Sequence, residues 1–311
     1  MKTRIELLSN LFREIESDVG SGEVSCITLR SLINSIKVFE VSDTKEFYNQ
    51  FKDLVYATCN TEPKFGCLNY YYRALLKELK DFFLLESSST KNCKNFILEK
   101  IEELIIKYKE ENALILKNAE KIDVEGKTIL IHDQSNTVHQ VLAHLKKLGK
   151  NFNVIISEQD YNKTHDNIEK IHNLKIPFQV IPSYMLNLAH NNIDIVFFGA
   201  LTLKNTMDFV MSPGAYGIIS EFNIVNIPIY VFLNTIKFSL WESKKKGEVF
   251  LHKHSRLHHS KPISYERLKC SHDRVPSKLF HRIITNEGVF TSQKLEDLYN
   301  TKMKNYTEEI K

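Results

Sequence analysis

The 311-residue chain is 42% hydrophobic and 26% charged, enough to bury a large core and to divide into two domains. Its 42 basic and 38 acidic residues leave a formal net charge of +4, a mixed surface that argues against direct binding of nucleic acid. Charges recur through the amino-terminal stretch MKTRIELLSNLFREIESD, and no run approaches the ~18 apolar residues that a membrane span needs. Neither export nor membrane insertion is expected.

From Thr3 to Asp18 the apolar residues Ile5, Leu8, Phe12 and Ile15 recur at helical spacing, and Gly20 and Gly22 are expected to end that helix. Similar patterns over Ile27 to Val38, Thr44 to Ala57, Leu68 to Leu85 and Phe96 to Ala119 make the first part all-helical. After Gly126 the texture changes to short, nearly continuous apolar runs: TILIH at 128 to 132, NVIIS at 153 to 157, FQVIP at 178 to 182, DIVFFG at 194 to 199 and IYVFL at 229 to 233. Such runs suit strands covered on both faces. Helical stretches at Thr137 to Leu148, His165 to Leu174, Tyr184 to His190 and Tyr216 to Asn223 alternate with them. The expected fold is therefore α/β, an N-terminal helical domain over 1–122 followed by a Rossmann-like parallel sheet domain over 123–311. The stretch from 243 to 262 reads as irregular.

The five cysteines, Cys26, Cys59, Cys67, Cys93 and Cys270, are odd in number and form no CxxC pair, which fits a reducing cytoplasm. In an open parallel sheet the ligand sits beyond the carboxyl ends of the strands. Those ends carry His132, Asp133, Gln134 and Ser135, then Ser157, Glu158, Gln159 and Asp160, then Gly199 and Ala200, then Asn234 and Thr235. Neither GxGxxG after the first strand nor GxxxxGK[ST] anywhere is present, so no dinucleotide or triphosphate cofactor is expected. The segment SPGAYG at 212 to 217 starts a helical stretch, where free amides would favour a phosphate; a plain glycine-bearing loop is the bland alternative. His132 and Asp133 have the chemistry of an acid/base pair, although a histidine at a strand end is commonly a hydrogen-bonded structural residue. The run His252, His254, His258 and His259 matches no zinc spacing and is interleaved with Lys253 and Arg256, so no metal is expected. Lys244, Lys245 and Lys246 read as a solvated loop.

The order of several segments carries a resemblance: TEPKFGCLN at 61 to 69, ILIHDQSNTVHQVL at 129 to 142, IISEQD at 155 to 160, DIVFFGALTL at 194 to 203, PGAYGIISEFNIVNIPIYVFLNTIKF at 213 to 238 and FHRIITNEGVF at 280 to 290. Together they resemble the alpha/beta/delta subunits of translation initiation factor 2B, a family that also includes ribose-1,5-bisphosphate and methylthioribose-1-phosphate isomerases. The resemblance implies a helical domain joined to a Rossmann-like domain, assembled as a homodimer or as a hetero-oligomer with related subunits. It also implies a phosphorylated small molecule as ligand and translation initiation factor 2 as a candidate partner.

The isomerase branch uses a cysteine after the first strand and an aspartate after the fourth, and the matching positions here are Asp133 and Leu201. A carboxylate differs from a thiol by several pKa units, and leucine transfers no proton. Asp160 stands where an arginine is usual, and Met211, Ser212 and Ala215 replace other phosphate-holding residues. The ligand-binding set that the resemblance leaves is His132, Asp133, Ser135, Glu158, Gly199, Ala200, Gly214, Ala215, Tyr216 and Lys237. The leading expectation is a non-catalytic regulatory or scaffolding protein. An isomerase working through Asp133, His132 or Glu158 is the alternative, and a homodimeric ligand sensor is a third reading.

Overall fold

The computed structural model describes residues 2–61, 65–85, 89–241, 249–258, 261–270 and 272–310. Contacts divide the chain into two compact units, Met1–Lys117 with Asn234–Lys237, and Asn118–Leu233 with Phe238–Lys311.

The first unit is helical: α1 (Lys2–Val38), α2 (Thr44–Cys59), α3 (Gly66–Leu85) and α4 (Thr90–Ala119). Gly20 breaks the regular helix with φ 78 and ψ 157, but Gly22 does not, and the helical residues run on to Val38 as one kinked element. Asp43 caps α2 by accepting the Glu46 amide at 2.7 Å, and Phe47, Phe51 and Val55 then fall on its buried face at four-residue steps. They meet Leu29, Tyr71, Leu75, Ile97 and Ile101 in one core, with Phe82 stacked on Phe96 at 4.3 Å.

The second unit is built on a seven-stranded sheet from β1 (Thr128–Ile131), β2 (Asn153–Glu158), β3 (Phe178–Pro182) and β4 (Ile195–Gly199). Between these and the remaining sheet strands lie β5 (Thr202–Leu203) and β6 (Asp208–Met211), followed by β7 (Ile229–Phe232). The chain continues through β8 (Val249–His258), β9 (Lys261–Cys270), β10 (Asp273–Pro276), β11 (Arg282–Thr285) and β12 (Gly288–Phe290). The strand order is β12-β11-β7-β4-β1-β2-β3, parallel throughout except for β12, which runs antiparallel to β11. The helices are α5 (Asn136–Lys147), α6 (Tyr161–Asn173), a 3-10 helix over Ser183–Asn192, α7 (Ala215–Ile224) and α8 (Ser292–Ile310). The α/β class expected from the sequence is the one observed.

Four of the five sheet strands read from the sequence, β1, β2, β4 and β7, are inner strands with buried side chains such as Leu130, Ile156, Val196, Phe197, Phe198 and Val231, whereas β3 lies at the edge of the sheet and has no buried residue. The stretch from 243 to 262 is corrected in part: β8 and β9 pair as an antiparallel ladder from Val249↔Cys270 to His258↔Lys261. Neither VFLHKHSRLH nor KPISYERLKC alternates apolar and polar residues along its whole length, so the sustained period-two signal that marks a strand is absent from both. The side chains of His252, His254 and His258, and all of His259 and Lys244 to Lys246, lie outside the described residues. A small sheet of order β10-β6-β5 completes the unit.

The chain leaves β1 outward to β2 and β3 and then returns to the far side of β1 as β4. The carboxyl ends of β1 and β4 therefore form the switch point at which such sheets bind ligands.

Candidate functional site

A cleft of about 680 Å³ opens at these strand ends, lined by residues of the second unit that include His132, Gln159, Lys163, Tyr184, Gly214 and Glu221. Its floor is a chain of hydrogen bonds through His132, which is 3% exposed. Burial above all drives the imidazole pKa down to about 4; Asp133 opposes that shift and Lys163 adds to it. The neutral ring needs one donor and one acceptor. The Gln159 amide donates to Nε2 at 2.6 Å, and Nδ1–H donates to Ser157 Oγ at 3.0 Å. Ser157 donates to Ser183 Oγ at 2.9 Å, and Ser183 donates to the Glu158 carbonyl. A satisfied neutral histidine of this kind holds the ends of β1, β2 and β3 together.

Asp133 has the left-handed φ of 71, a conformation that aspartate tolerates better than most side chains. Its carbonyl accepts the Asn167 amide at 3.3 Å, and Asn167 in turn accepts His139 Nε2–H at 2.7 Å. Its carboxylate pairs with Lys163 at 3.0 Å and accepts the Ser212 hydroxyl. Lys163 and Asn167 occupy successive turns of α6, whose amino end is capped by Asp160 accepting the Lys163 amide at 3.0 Å. The residue at the usual arginine position thus serves as a helix cap.

Ser135 caps α5, accepting the Val138 amide at 3.4 Å. Gly199 makes room for it: a Cβ there would stand 2.0 Å from Ser135 Oγ and 2.7 Å from its Cβ. Gly199→Val is expected to destabilise the protein by about 1–3 kcal/mol through that overlap. Gly217→Ala, whose Cβ meets nothing within 4 Å inside α7, is expected to be neutral or stabilising by up to about 1 kcal/mol. Paired urea titrations check both.

At the amino end of α7, Gly214 adopts φ 96. The amides expected to face a phosphate donate instead to a carboxylate of the chain itself: Gly214 N–H and Tyr216 N–H both reach Asp273 Oδ2 at 2.9 Å. Ala215 is buried and Tyr216 is 46% exposed. Ala200 is buried and is not among the residues lining the cleft, while Glu158 is exposed at the end of β2. Lys237 belongs to the helical unit, where its backbone would lie 3.0–3.1 Å from a Cβ at Gly66, so it does not join the residues lining the cleft. Asn234 is placed with it. Sequence reasoning missed Lys163, Asn167, Ser183 and Asp273. The polar spacing of Lys163, Asn167 and Lys170 on one face of α6 was a signal for the first two; Asp273, 59 residues from Gly214, offered none.

The profile of the initiation factor 2 subunit family matches residues 17–292. The chain belongs to that family. Among its relatives in the initiation factor 2 subunit family, translation initiation factor eIF2B subunit alpha of Dictyostelium discoideum is 27% identical over 148 residues, 47% of this chain and 46% of the relative. A putative translation initiation factor eIF-2B subunit 2-like protein of Pyrococcus abyssi (strain GE5 / Orsay) is 28% identical over 173 residues, 55% of this chain and 60% of the relative. The matched part of the chain spans about half the length of these two relatives.

Among solved structures, the Pyrococcus horikoshii OT3 translation initiation factor eIF-2B superposes with a TM-score of 0.67 at 19% identity, covering 91% of this chain and 96% of that one. A chain of the tetrameric eIF2B-beta2-delta2 complex from C. thermophilum gives 0.71 at 17% identity, covering 96% and 93%. At these identities the likeness concerns the fold. Among the described residues no helix is long and apolar enough to cross a membrane.

Proposed function

We propose that this member of the initiation factor 2 subunit family is a non-catalytic regulatory or scaffolding protein of the cytoplasm, acting through protein contacts as a homodimer or in a hetero-oligomer with related subunits. The observation that carries this reading is the state of Asp133. Its carboxylate is engaged by Lys163 and Ser212, and a general base must be free to take a proton. At the other expected catalytic position, Leu201 contributes only its backbone N–H, donated to Val210 O at 2.9 Å. Assembly with related subunits is supported by the names of the Dictyostelium relative and the C. thermophilum complex. Translation initiation factor 2 is the candidate client of such an assembly, and the chain alone is not expected to accelerate nucleotide release from it.

The isomerase alternative would rest on Asp133, His132 and Glu158. A histidine that stays neutral down to about pH 4 with both ring nitrogens engaged weighs against it. A sugar phosphate or nucleotide in the cleft would meet Asp160 and Glu221 on its walls, which weighs against that ligand. Incubation of the purified chain with ribose 1,5-bisphosphate and with methylthioribose 1-phosphate is expected to give no product above background. Turnover that Asp133→Asn abolishes would overturn the reading.

A further inference from the structure

We propose that Asp273 is an internal anion that fills the oxyanion seat at the amino end of α7 and, together with Asp133, closes the cleft to phosphorylated ligands. Two backbone amides, from Gly214 and Tyr216, converge at 2.9 Å on one oxygen of Asp273 at the positive end of a ten-residue helix. That is the arrangement in which helix amino ends hold a phosphate oxygen. The carboxylate is delivered by the fold: β10 pairs with β6 so that Asp273 stands opposite Met211, immediately before the turn into α7. Gly214 faces the cleft in its left-handed conformation and completes the turn.

The second positive feature is treated in the same way. Lys163 is the only lysine or arginine among the described residues lining the cleft, and Asp133 neutralises it at 3.0 Å. Each feature that would attract a phosphate therefore carries its own carboxylate, from a different part of the chain. An incoming dianion would have to displace Asp273 from the two amides and would enter a cleft lined by Asp160 and Glu221, in which Lys163 is already paired with Asp133. The amide donors stay satisfied with no ligand bound, and the amino end of α7 is ordered by the chain itself.

The test is titration of the full chain with inorganic phosphate at constant ionic strength, followed by calorimetry and thermal melting. Asp273→Ala is expected to bind phosphate at least about tenfold more tightly than the unaltered protein, and adding Asp133→Asn to tighten binding further. An Asp273→Ala variant no better at binding phosphate than the parent overturns the proposal, as does a parent that already binds it equally well. Should that variant not fold, exchange of the Gly214 and Tyr216 amides in Asp273→Asn decides. Exchange at least about tenfold faster than in the parent is expected, and unchanged rates overturn the proposal. Turnover assays play no part here, so this result and the non-catalytic reading stand or fall separately.

Discussion

Lowering the pH from 7 to 4 is expected to remove about 6 kcal/mol of stability, most of it through His132 and His139. Both are buried, and burial is the largest cause holding each pKa at about 4, against 6.5 for a free imidazole. In the unfolded chain both rings protonate near pH 6.5, while in the folded chain they stay neutral until about pH 4. Between those values the unfolded state binds more protons, so falling pH favours unfolding. The stability is complete above pH 6.5, is lost as pH falls towards 4, and levels off below. Each group contributes about 3 kcal/mol, and where both differ between the two states the slope approaches about 2.7 kcal/mol per pH unit. Urea titrations at pH 7, 6, 5 and 4 measure that slope. His139→Asn should lower it by close to one proton whatever it does to stability at pH 7. A flat profile would mean that both rings take up protons as readily in the folded protein as in the unfolded chain.

Phe197→Ala is expected to cost about 3–5 kcal/mol, the range for truncating a buried aromatic ring. Phe197 lies on β4, the neighbour of β1 at the switch point, and is fully buried. Its ring packs edge-on against Phe232 at 5.0 Å and Tyr230 at 5.8 Å, both on the adjacent strand β7. The cavity would open on a face of the sheet over central strands, whose backbone pairing on both sides resists collapse. Phe197→Leu, which keeps most of the volume, should recover well over half of the loss. Equal costs for the two substitutions would mean that the site relaxes freely around the missing ring.

The two expectations draw on the part of the fold that was most legible. The runs around Ile129, Val154, Val196 and Val231 announced themselves because the inner strands of a parallel sheet are apolar on both faces, and the run around Val180 at the sheet edge was legible from its own apolar residues although Val180 is 40% exposed. The order βαβ followed from the helical stretches between them. Strands β5, β6, β10, β11 and β12, of two to four residues each, did not, because they stand outside the β-α-β alternation that marked the equally short β1 and β7. In α8, Leu295, Leu298, Tyr299 and Met303 have helical spacing, but the charges around them dilute the signal.

The site divides in the same way. His132, Asp133, Ser135 and Gly199 could be placed at the strand ends from the sequence because those ends converge by topology. Their roles were not, because a role depends on the partner. Asp133 reads as an acid or base until Lys163 and Ser212 are seen to hold it, and SPGAYG reads as a phosphate seat until Asp273 is seen in it. Partners such as Asp273 arrive from distant sequence through sheet pairing, which local pattern does not encode.

The four residues Asn234–Lys237 complete the helical unit even though the chain has by then traced five strands of the large sheet. Ile236 packs against the helical core, Asn234 donates its side-chain amide to Asn112 Oδ1 at 3.2 Å, and Gly66 fits closely over the backbone of Lys237. During synthesis the four helices therefore leave the ribosome more than a hundred residues ahead of a segment that belongs to their packing. The helical unit waits, incomplete, for most of the other unit to be made. A fragment ending at Lys117 would contain every residue of that unit's four helices except the last two of α4, and would still lack one of its packing elements.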